Sequence, residues 1–206
     1  MRNVCWWFSC LEAASVSARL GEPIVYPTDT VYGIGSSPWS EYGVWLVFRV
    51  KGRSPDKPVP LLLDGVERAA EIGEMDSRAW RLARRFWPGA LTIVVPLRDT
   101  SIPRLVTGGT DCIGLRVPAH PAPRHLARAS GGAIVGTSAN KSGRPPKRTL
   151  DEVVVELGSE PVAYFLDGGV LPGTPSTVVN LCGEGVVFER VGAIPRGLVE
   201  AVIAED

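Results

Sequence analysis

At 206 residues the chain is long enough for one domain with a buried core, and its formal net charge of zero argues against a surface built wholly for nucleic acid. With 45% apolar and 21% charged residues, the composition is that of a soluble globular protein. No apolar run reaches the roughly 18 residues that a membrane helix requires, and no signal peptide is expected, so a cytoplasmic protein is predicted.

Helices and short strands are predicted to alternate along the chain. Amphipathic segments behind the capping residues Ser9, Ser40, Asp76 and Thr149 indicate helices, and apolar runs bounded by Gly or Pro indicate strands. Trp6, Trp7 and Phe8 are expected to cover a core edge. In chain order the predicted elements are a helix at 10–20, a strand at 24–26, a helix at 41–50, a strand at 59–63, a helix at 77–86, strands at 91–95 and 112–117, a helix at 121–129, a strand at 133–135, a helix at 150–157, a strand at 162–166, a hairpin at 177–181 and 186–190, and a helix at 196–203. This order predicts an α/β (α+β-like) domain on one twisted mixed β-sheet with flanking helices.

The four cysteines, Cys5, Cys10, Cys112 and Cys182, contain no C-x-x-C pair. Their spacing is not that of a zinc site, and a disulfide framework is not expected in a chain of this length. Free thiols in a cytosolic protein are therefore predicted, and no metal ligands are assigned.

Polar loops follow apolar strands at five places and supply hydroxyl groups, glycine amides and cationic side chains. The loops are PTDT (27–30), KGRSPDK (51–57), TGGTDCIGLR (107–116), GTSAN (136–140) and GTPST (173–177), and Arg190 ends a further strand. Candidates for acid-base catalysis are scarce, because His120 and His125 stand beside prolines at a spacing that favours structural roles. The set suits phosphate chemistry done by positioning and charge stabilisation.

Each motif alone also fits a solvated turn, and three common signatures are not met. The segment GTSANKS lacks the second glycine that a P-loop places before its lysine. No G-x-G-x-x-G follows a predicted strand, and no G-x-S-x-G is present. Nucleotide binding through a P-loop or a G-x-G-x-x-G loop is therefore not predicted, and neither is a serine hydrolase of the G-x-S-x-G type.

Taken together, YPTDTVYGIG, KGRSPDKP, WPGALTIVV, IGLRVPAHP, GTSANKSG, STVVN and FERVG stand in the order seen in the YrdC-like threonylcarbamoyl-AMP synthases. The chain resembles that family over about residues 12–198. The resemblance implies an α/β twisted sheet around a positively charged cavity, in one domain over 1–206. It also implies the short form, without the additional C-terminal domain of longer members.

The resemblance implies a nucleotidyltransferase that makes L-threonylcarbamoyladenylate and pyrophosphate from L-threonine, bicarbonate and ATP. Mg²⁺ would arrive with the ATP. The product would supply tRNA threonylcarbamoyladenosine modification, so tRNA and a downstream threonylcarbamoyl-transferase machinery are implied partners, with no membrane.

The family's functional residues map onto ten positions of this chain. The implied roles are catalytic for Lys51 and Arg53, threonine-binding for Thr30, Arg116, Gly136 and Ser176, and ATP-binding for Arg53, Lys57, Cys112, Ser138 and Arg190. Two positions depart from the family: Cys112 replaces the threonine of some members, and Leu62 replaces a histidine.

Two other interpretations stay open. The chain could be a double-stranded RNA or tRNA-binding module that uses the cavity and the basic helix at 78–85, although zero net charge and the lack of an aromatic stacking platform count against it. It could also be a paralogue of the same fold that acts on another carbamoyl adenylate. The basic loop 141–148 is a candidate to close over a nucleotide.

Overall fold

The computed structural model describes residues 3–204, which form eleven strands and eight helices. The strands are β1 (Asn3–Trp6), β2 (Ile24–Tyr26), β3 (Gly33–Gly35), β4 (Leu61–Leu63), β5 (Leu91–Pro96), β6 (Cys112–Arg116), β7 (Ala133–Val135), β8 (Thr137–Ser138), β9 (Tyr164–Asp167), β10 (Thr177–Asn180) and β11 (Val187–Arg190). The helices are α1 (Trp7–Arg19), α2 (Glu41–Lys51), α3 (Glu67–Ile72), α4 (Ser77–Phe86), α5 (Arg104–Thr107), α6 (Pro121–Ala129), α7 (Leu150–Leu157) and α8 (Arg196–Ala204).

The mixed α/β class is confirmed, but the strands form two sheets where one was predicted. The first sheet has the order β1-β9-β2-β3-β8, and the second has the order β11-β10-β5-β6-β4-β7. Both sheets contain parallel and antiparallel neighbours. Strand pairing joins segments that are distant in the chain, so the apolar pattern of a single strand does not specify its sheet.

Three of the four predicted capping residues are confirmed. The Ser40 hydroxyl accepts from the Gly43 amide at 3.1 Å, and the Asp76 carboxylate accepts from the Ala79 amide at 2.8 Å. Thr149 forms a reciprocal capping box at the start of α7. These caps satisfy amide groups that have no partner inside the first helical turn.

The predicted start of α1 was wrong. The helix begins at Trp7, with no side-chain cap, because β1 pairs with β9 in parallel up to Trp6 and the chain turns into the helix directly. Trp6 and Phe8 are 53% and 66% exposed, whereas Trp7 packs against a small core cluster. Only Trp7 of the three aromatic residues therefore contributes to a core edge.

The two sheets meet at Gly35 in β3. A Cβ atom at this position would lie 1.7 Å from the carbonyl oxygen of Val135 in β7, so only glycine permits this approach. The Val135 amide donates to Ser36 O at 3.0 Å, and the Tyr26 hydroxyl donates to Val135 O at 2.7 Å. The contact brings the GTSAN loop, which follows β7, beside the PTDT loop, which follows β2.

The prediction of free thiols was wrong. Cys5 is bonded to Cys10, and Cys112 is bonded to Cys182. Cys112 begins β6 and Cys182 follows β10, and these strands flank β5 on its two sides. The sheet thus brings two cysteines 70 residues apart to a Cα–Cα distance of 6.2 Å, within the range that a disulfide spans.

Within residues 3–204, none of the helices combines the length and the apolar character needed to cross a membrane.

Candidate active-site cavity

A cavity of about 370 Å³ gathers side chains from both sheets. Eight of the ten predicted site residues line it, namely Thr30, Arg53, Cys112, Arg116, Gly136, Ser138, Ser176 and Arg190. They come from all five polar loops and from the end of β11. The fold therefore brings together residues that are as many as 160 positions apart in the sequence, from Thr30 to Arg190.

One wall of the cavity is the face of three adjacent strands, β10, β5 and β6. Alternate residues of these segments line it, since successive side chains of a strand point to opposite faces. They are Ser176, Val178 and Asn180 along β10, Thr92 and Val94 in β5, and Cys112, Gly114 and Arg116 in β6. The intervening residues Ile93, Ile113, Leu115 and Val179 are buried in the core.

Arg116 is held by three contacts at the end of this wall. Its guanidinium donates to Asp29 Oδ1 at 2.7 Å, to Thr30 Oγ1 at 3.3 Å and to the Gly89 carbonyl at 2.9 Å. Burial lowers the pKa of the Arg116 guanidinium, and the Asp29 carboxylate acts in the opposite direction. Arginine remains charged through such shifts, so Arg116 presents an oriented cation.

Arg190 is the second guanidinium at the cavity. The residue lies at the exposed rim, and its side chain reaches inward to donate to Ser176 O at 2.8 Å and to Ser176 Oγ at 3.0 Å. Ser176 Oγ is also 3.0 Å from Thr92 Oγ1. Partial burial, and then the positive charge of Arg116, lower the pKa of Arg190. Two like charges that influence each other across one cavity favour an anionic ligand between them.

Arg53 lines the cavity from the loop that follows α2. Its Nη2 donates to the Pro58 carbonyl at 2.7 Å, and its Nε donates to the Lys57 carbonyl at 3.2 Å. The Lys57 side chain itself is exposed, and among the described residues it is not part of the cavity lining. The structure thus brings Arg53 to the predicted phosphate side and leaves Lys57 outside.

Lys51 is buried behind the cavity wall. It is 2% exposed, and its ammonium donates to the carbonyls of Ser138 and Asn140, the latter at 2.7 Å. Burial, and then the charge of Arg53, lower the pKa of Lys51 to about 7. Within the described part of the chain Lys51 is not a lining residue, so it ties α2 to the GTSAN loop instead of facing the cavity.

Gly136 lines the cavity at a point of close packing. A Cβ atom on it would meet Leu62 Cγ at 2.4 Å. Leu62 lines the same cavity and is 4% exposed, so the side chain that departs from the family pattern occupies the space in front of Gly136.

The loop 141–148 borders the cavity only at Pro146 among the described lining residues. It is tied to α7 by the Lys147–Glu156 ion pair at 2.7 Å, and the Asn140 side chain donates to Arg144 O at 2.7 Å. Closure of this loop over a nucleotide stays a prediction.

Several residues of the site were not predicted. Asp29 stands inside the quoted PTDT motif, but its ion pair with Arg116 joins residues 87 apart. Thr92 and the hydrogen-bonded pair Asn180–Glu189 also line the cavity. The period-two alternation along 92–94 and 176–180 is the signal that could have found Thr92 and Asn180.

The histidines take structural positions. The ring of His120 accepts through Nδ1 from the Ala122 amide at 3.1 Å and caps α6. His125 lies 3.1 Å from Glu12 of α1.

Comparison with known proteins finds relatives that match nearly the whole chain. The chain is 35% identical over 197 residues to the threonylcarbamoyl-AMP synthase of Pyrococcus abyssi, covering 95% of this chain and 57% of that protein. It is 33% identical to the threonylcarbamoyl-AMP synthase of Bacillus subtilis, covering 94% of this chain and 56% of that protein. The chain thus spans a little more than half the length of these relatives.

Solved structures show the same fold. The structure of P. abyssi Sua5 complexed with L-threonine matches with a TM-score of 0.90 and 33% identity, over 100% of this chain and 61% of that chain. E. coli YciO matches in fold with a TM-score of 0.84 and 24% identity, over 95% of this chain and 98% of that one. The Sua5, YciO and YrdC family model, described as "Telomere recombination", matches residues 17–192. The chain belongs to the Sua5/YciO/YrdC family.

Proposed function

We propose that this chain is an L-threonylcarbamoyladenylate synthase, a nucleotidyltransferase that uses L-threonine, bicarbonate and ATP. One observation carries the proposal: Arg116 and Arg190 line the same cavity, each hydrogen-bonded to a hydroxyl group, of Thr30 and Ser176 respectively. Relatives named threonylcarbamoyl-AMP synthase and the threonine-bound P. abyssi structure support the choice of substrates.

The proposal places the threonine carboxylate at Arg116. Of the five N–H groups of a guanidinium, three donate to Asp29, Thr30 and Gly89, and two are left without a partner among the described residues. Two N–H groups suit a carboxylate, which accepts from arginine in bidentate geometry. Asp29 and the Gly89 carbonyl keep the guanidinium oriented before the substrate arrives.

The proposal places the phosphates near Arg53 and Arg190. In the reaction, the carbamate oxygen of N-carboxythreonine forms a bond to the α-phosphorus, and the bond from that phosphorus to the bridging oxygen of pyrophosphate breaks. Both reactants are anions, so fixed cations reduce their repulsion and stabilise the charge that develops on pyrophosphate. The carbamate attacks as an anion, so this step requires no base to remove a proton.

Mg²⁺ would accompany the ATP phosphates. Within residues 3–204, no three His, Cys, Asp or Glu side chains are grouped to hold a metal ion. A magnesium ion bound chiefly by substrate phosphates is common in nucleotide enzymes. When bound, the ion would neutralise phosphate charge beside the two arginines.

In this proposal Lys51 is a positioning residue. Its bonds to the Ser138 and Asn140 carbonyls hold the GTSAN loop, and Gly136 and Ser138 of that loop line the cavity. Lys57 has no assigned contact, because its side chain is exposed outside the cavity.

The proposal extends to the use of the product. The adenylate would be passed in the cytoplasm to a transferase that modifies tRNA, and the 206-residue chain would act as one domain. Retention of the threonylcarbamoyl group on tRNA, in an assay that supplies such a transferase, tests this extension.

The test of the activity is direct. The chain is incubated with ATP, Mg²⁺, labelled bicarbonate and L-threonine, and pyrophosphate and a labelled adenylate are measured. We expect pyrophosphate release that depends on threonine and equals the adenylate formed. Release without threonine would contradict the synthase proposal. Release that depends on a different amino acid would support the paralogue instead.

RNA binding is the second candidate, and one observation favours it. Tyr42 and Trp45 of α2 are 66% and 41% exposed and stack at a centroid distance of 5.7 Å, with the Arg49 guanidinium 5.0 Å above Trp45. From the sequence no aromatic stacking platform was expected, and this exposed pair was not identified. Such a group can stack on unpaired bases. Titration with single-stranded RNA at several salt concentrations tests it, and equal affinity for a Trp45→Ala variant would count against it.

A further inference from the structure

The Cys112–Cys182 bond closes one end of the cavity wall. Cys112 lines the cavity at the start of β6, and Cys182 follows Asn180 at the next alternate position along the β10 segment. The bond therefore crosses β5 and joins the two strands that flank it. At the other end of the same wall, Thr92 and Ser176 are joined by a hydrogen bond.

The bonded segment is connected to the proposed phosphate side. The Cys182 amide donates to Asn180 Oδ1 at 2.9 Å, and the Asn180 amide group donates to Glu189 Oε1 at 2.7 Å. Arg190 is the next residue, and it pairs with Val178 across the β10–β11 hairpin. A change in the position of Cys182 would therefore be transmitted to Arg190 through the Asn180 side chain and the pairing of β10 with β11.

Both cysteines of this bond are partly accessible to solvent. Cys112 and Cys182 are each half-buried, and Cys112 faces the cavity, which is open to solvent and substrate. Disulfides are rare in the cytoplasm, and those that occur there are commonly transient or redox-sensing, with stable disulfides in hyperthermophiles as the exception. Exposed disulfides exchange with thiols more readily than buried ones.

We propose that the Cys112–Cys182 bond is a site of thiol–disulfide exchange that sets the affinity of the cavity for ATP. A dithiol reductant supplies the electrons: its thiolate attacks one sulfur, a mixed disulfide forms, and the other cysteine leaves as a thiolate that takes up a proton. The second thiol of the reductant then displaces the first cysteine and leaves two protein thiols and one oxidised reductant. The inference rests on the proposed function, because ATP is the ligand whose binding changes.

The bond and the ligand are linked in both directions. If breaking the bond loosens the hairpin that carries Arg190, the reduced protein binds ATP less tightly. By thermodynamic reciprocity, bound ATP must then favour the oxidised form. Cys5–Cys10 provides the internal control, because it lies outside the described cavity lining and joins two residues only five positions apart.

The experiment compares oxidised and dithiothreitol-treated protein. ATP affinity with Mg²⁺ is measured by calorimetry, thiols at 112 and 182 are counted by alkylation and mass spectrometry, and circular dichroism monitors the fold. We expect both thiols to appear after reduction, the fold to be kept, ATP affinity to fall about five-fold or more, and ATP to slow the reduction. The Cys5→Ser/Cys10→Ser variant should respond like wild type. The Cys112→Ser/Cys182→Ser variant should bind ATP like the reduced protein in both conditions.

Three results would overturn the inference. The first is equal ATP affinity of the oxidised protein and of the reduced protein in which alkylation detects both thiols. The second is resistance of the bond to dithiothreitol in the folded protein. The third is unfolding on reduction, which would make the bond purely structural. Failure of the proposed function has a different signature, because ATP would then bind to neither form and the inference would fall with it.

Discussion

The carboxylate of Asp29 lies 2.7 Å from Arg116 Nη2, although the two residues are 87 positions apart. Thr30, the next residue after Asp29, contacts the same guanidinium through its hydroxyl at 3.3 Å. One tight turn after β2 therefore orients the cation from two sides. Because Arg116 is 5% exposed, its orientation depends on these contacts rather than on water.

We expect Arg116→Ala to lower kcat/KM for threonine by at least about ten-fold, the size of a lost charge-assisted contact. Arg116→Lys should not restore kcat/KM, because an ammonium lacks the planar group of N–H donors that binds Asp29, Thr30 and a carboxylate together. The exposed Arg84→Ala on α4 is the matched control. Rates near wild type in Arg116→Ala would remove the threonine assignment.

We expect Arg53→Ala to slow pyrophosphate release by at least about ten-fold, because Arg53 lines the cavity and its guanidinium also holds the carbonyls of Lys57 and Pro58. Initial rates at varied ATP measure the effect, again with Arg84→Ala as control. A Lys57→Ala variant with an equal loss would show that the exposed lysine reaches the phosphates after all.

The buried Lys51 gives a pH-dependent prediction. Burial lowers its pKa from 10.5 in the unfolded chain to about 7, so the unfolded state binds more protons between these values. Stability rises with pH wherever the unfolded state binds more protons. The Lys51 contribution is thus least favourable below pH 7 and improves as the pH rises from 7 towards 10.5.

Urea unfolding of wild type and Lys51→Met at pH 6 and pH 9 measures this effect. The free energy of unfolding of wild type minus that of Lys51→Met should become more positive from pH 6 to pH 9. Groups common to both proteins cancel in that difference. If this difference stays constant or becomes more negative, Lys51 does not titrate as its burial implies.

The two disulfides should contribute unequally to stability. In the chain-entropy account, closing a loop of about 70 residues stabilises the folded state by about 4 kcal/mol, and closing a loop of about 5 residues by about 2 kcal/mol. Denaturant unfolding of the two double Cys→Ser variants measures both values. A larger loss in the Cys5→Ser/Cys10→Ser variant would contradict the loop-length argument.

Local features of the fold were predictable from the sequence. Ser40, Asp76 and Thr149 cap helices through atoms within three residues, and α6 has the predicted bounds at 121–129. β3 was not predicted, because Gly33-Ile34-Gly35 has only one good strand former and becomes a strand by pairing with β2 and β8.

The site was predictable as a set of residues but not as a set of contacts. Family motifs indicated Thr30, Arg116, Ser176 and Arg190, and all four line one cavity. The inward turn of Lys51 to the GTSAN carbonyls, and the bonding of Cys112 to Cys182, depend on how distant strands are stacked. No local pattern encodes such neighbours.

The three-strand wall has a consequence for changes in chain length. Its cavity residues and core residues alternate one by one, so an insertion or deletion of a single residue between Thr177 and Val178 would turn Val178 and Asn180 towards the core and Val179 towards the cavity. Such a change would disrupt the core packing and the cavity surface at the same time. Natural or engineered variation in this wall should therefore occur by substitution, with length changes confined to the turn at 183–186, beyond the bonded Cys182.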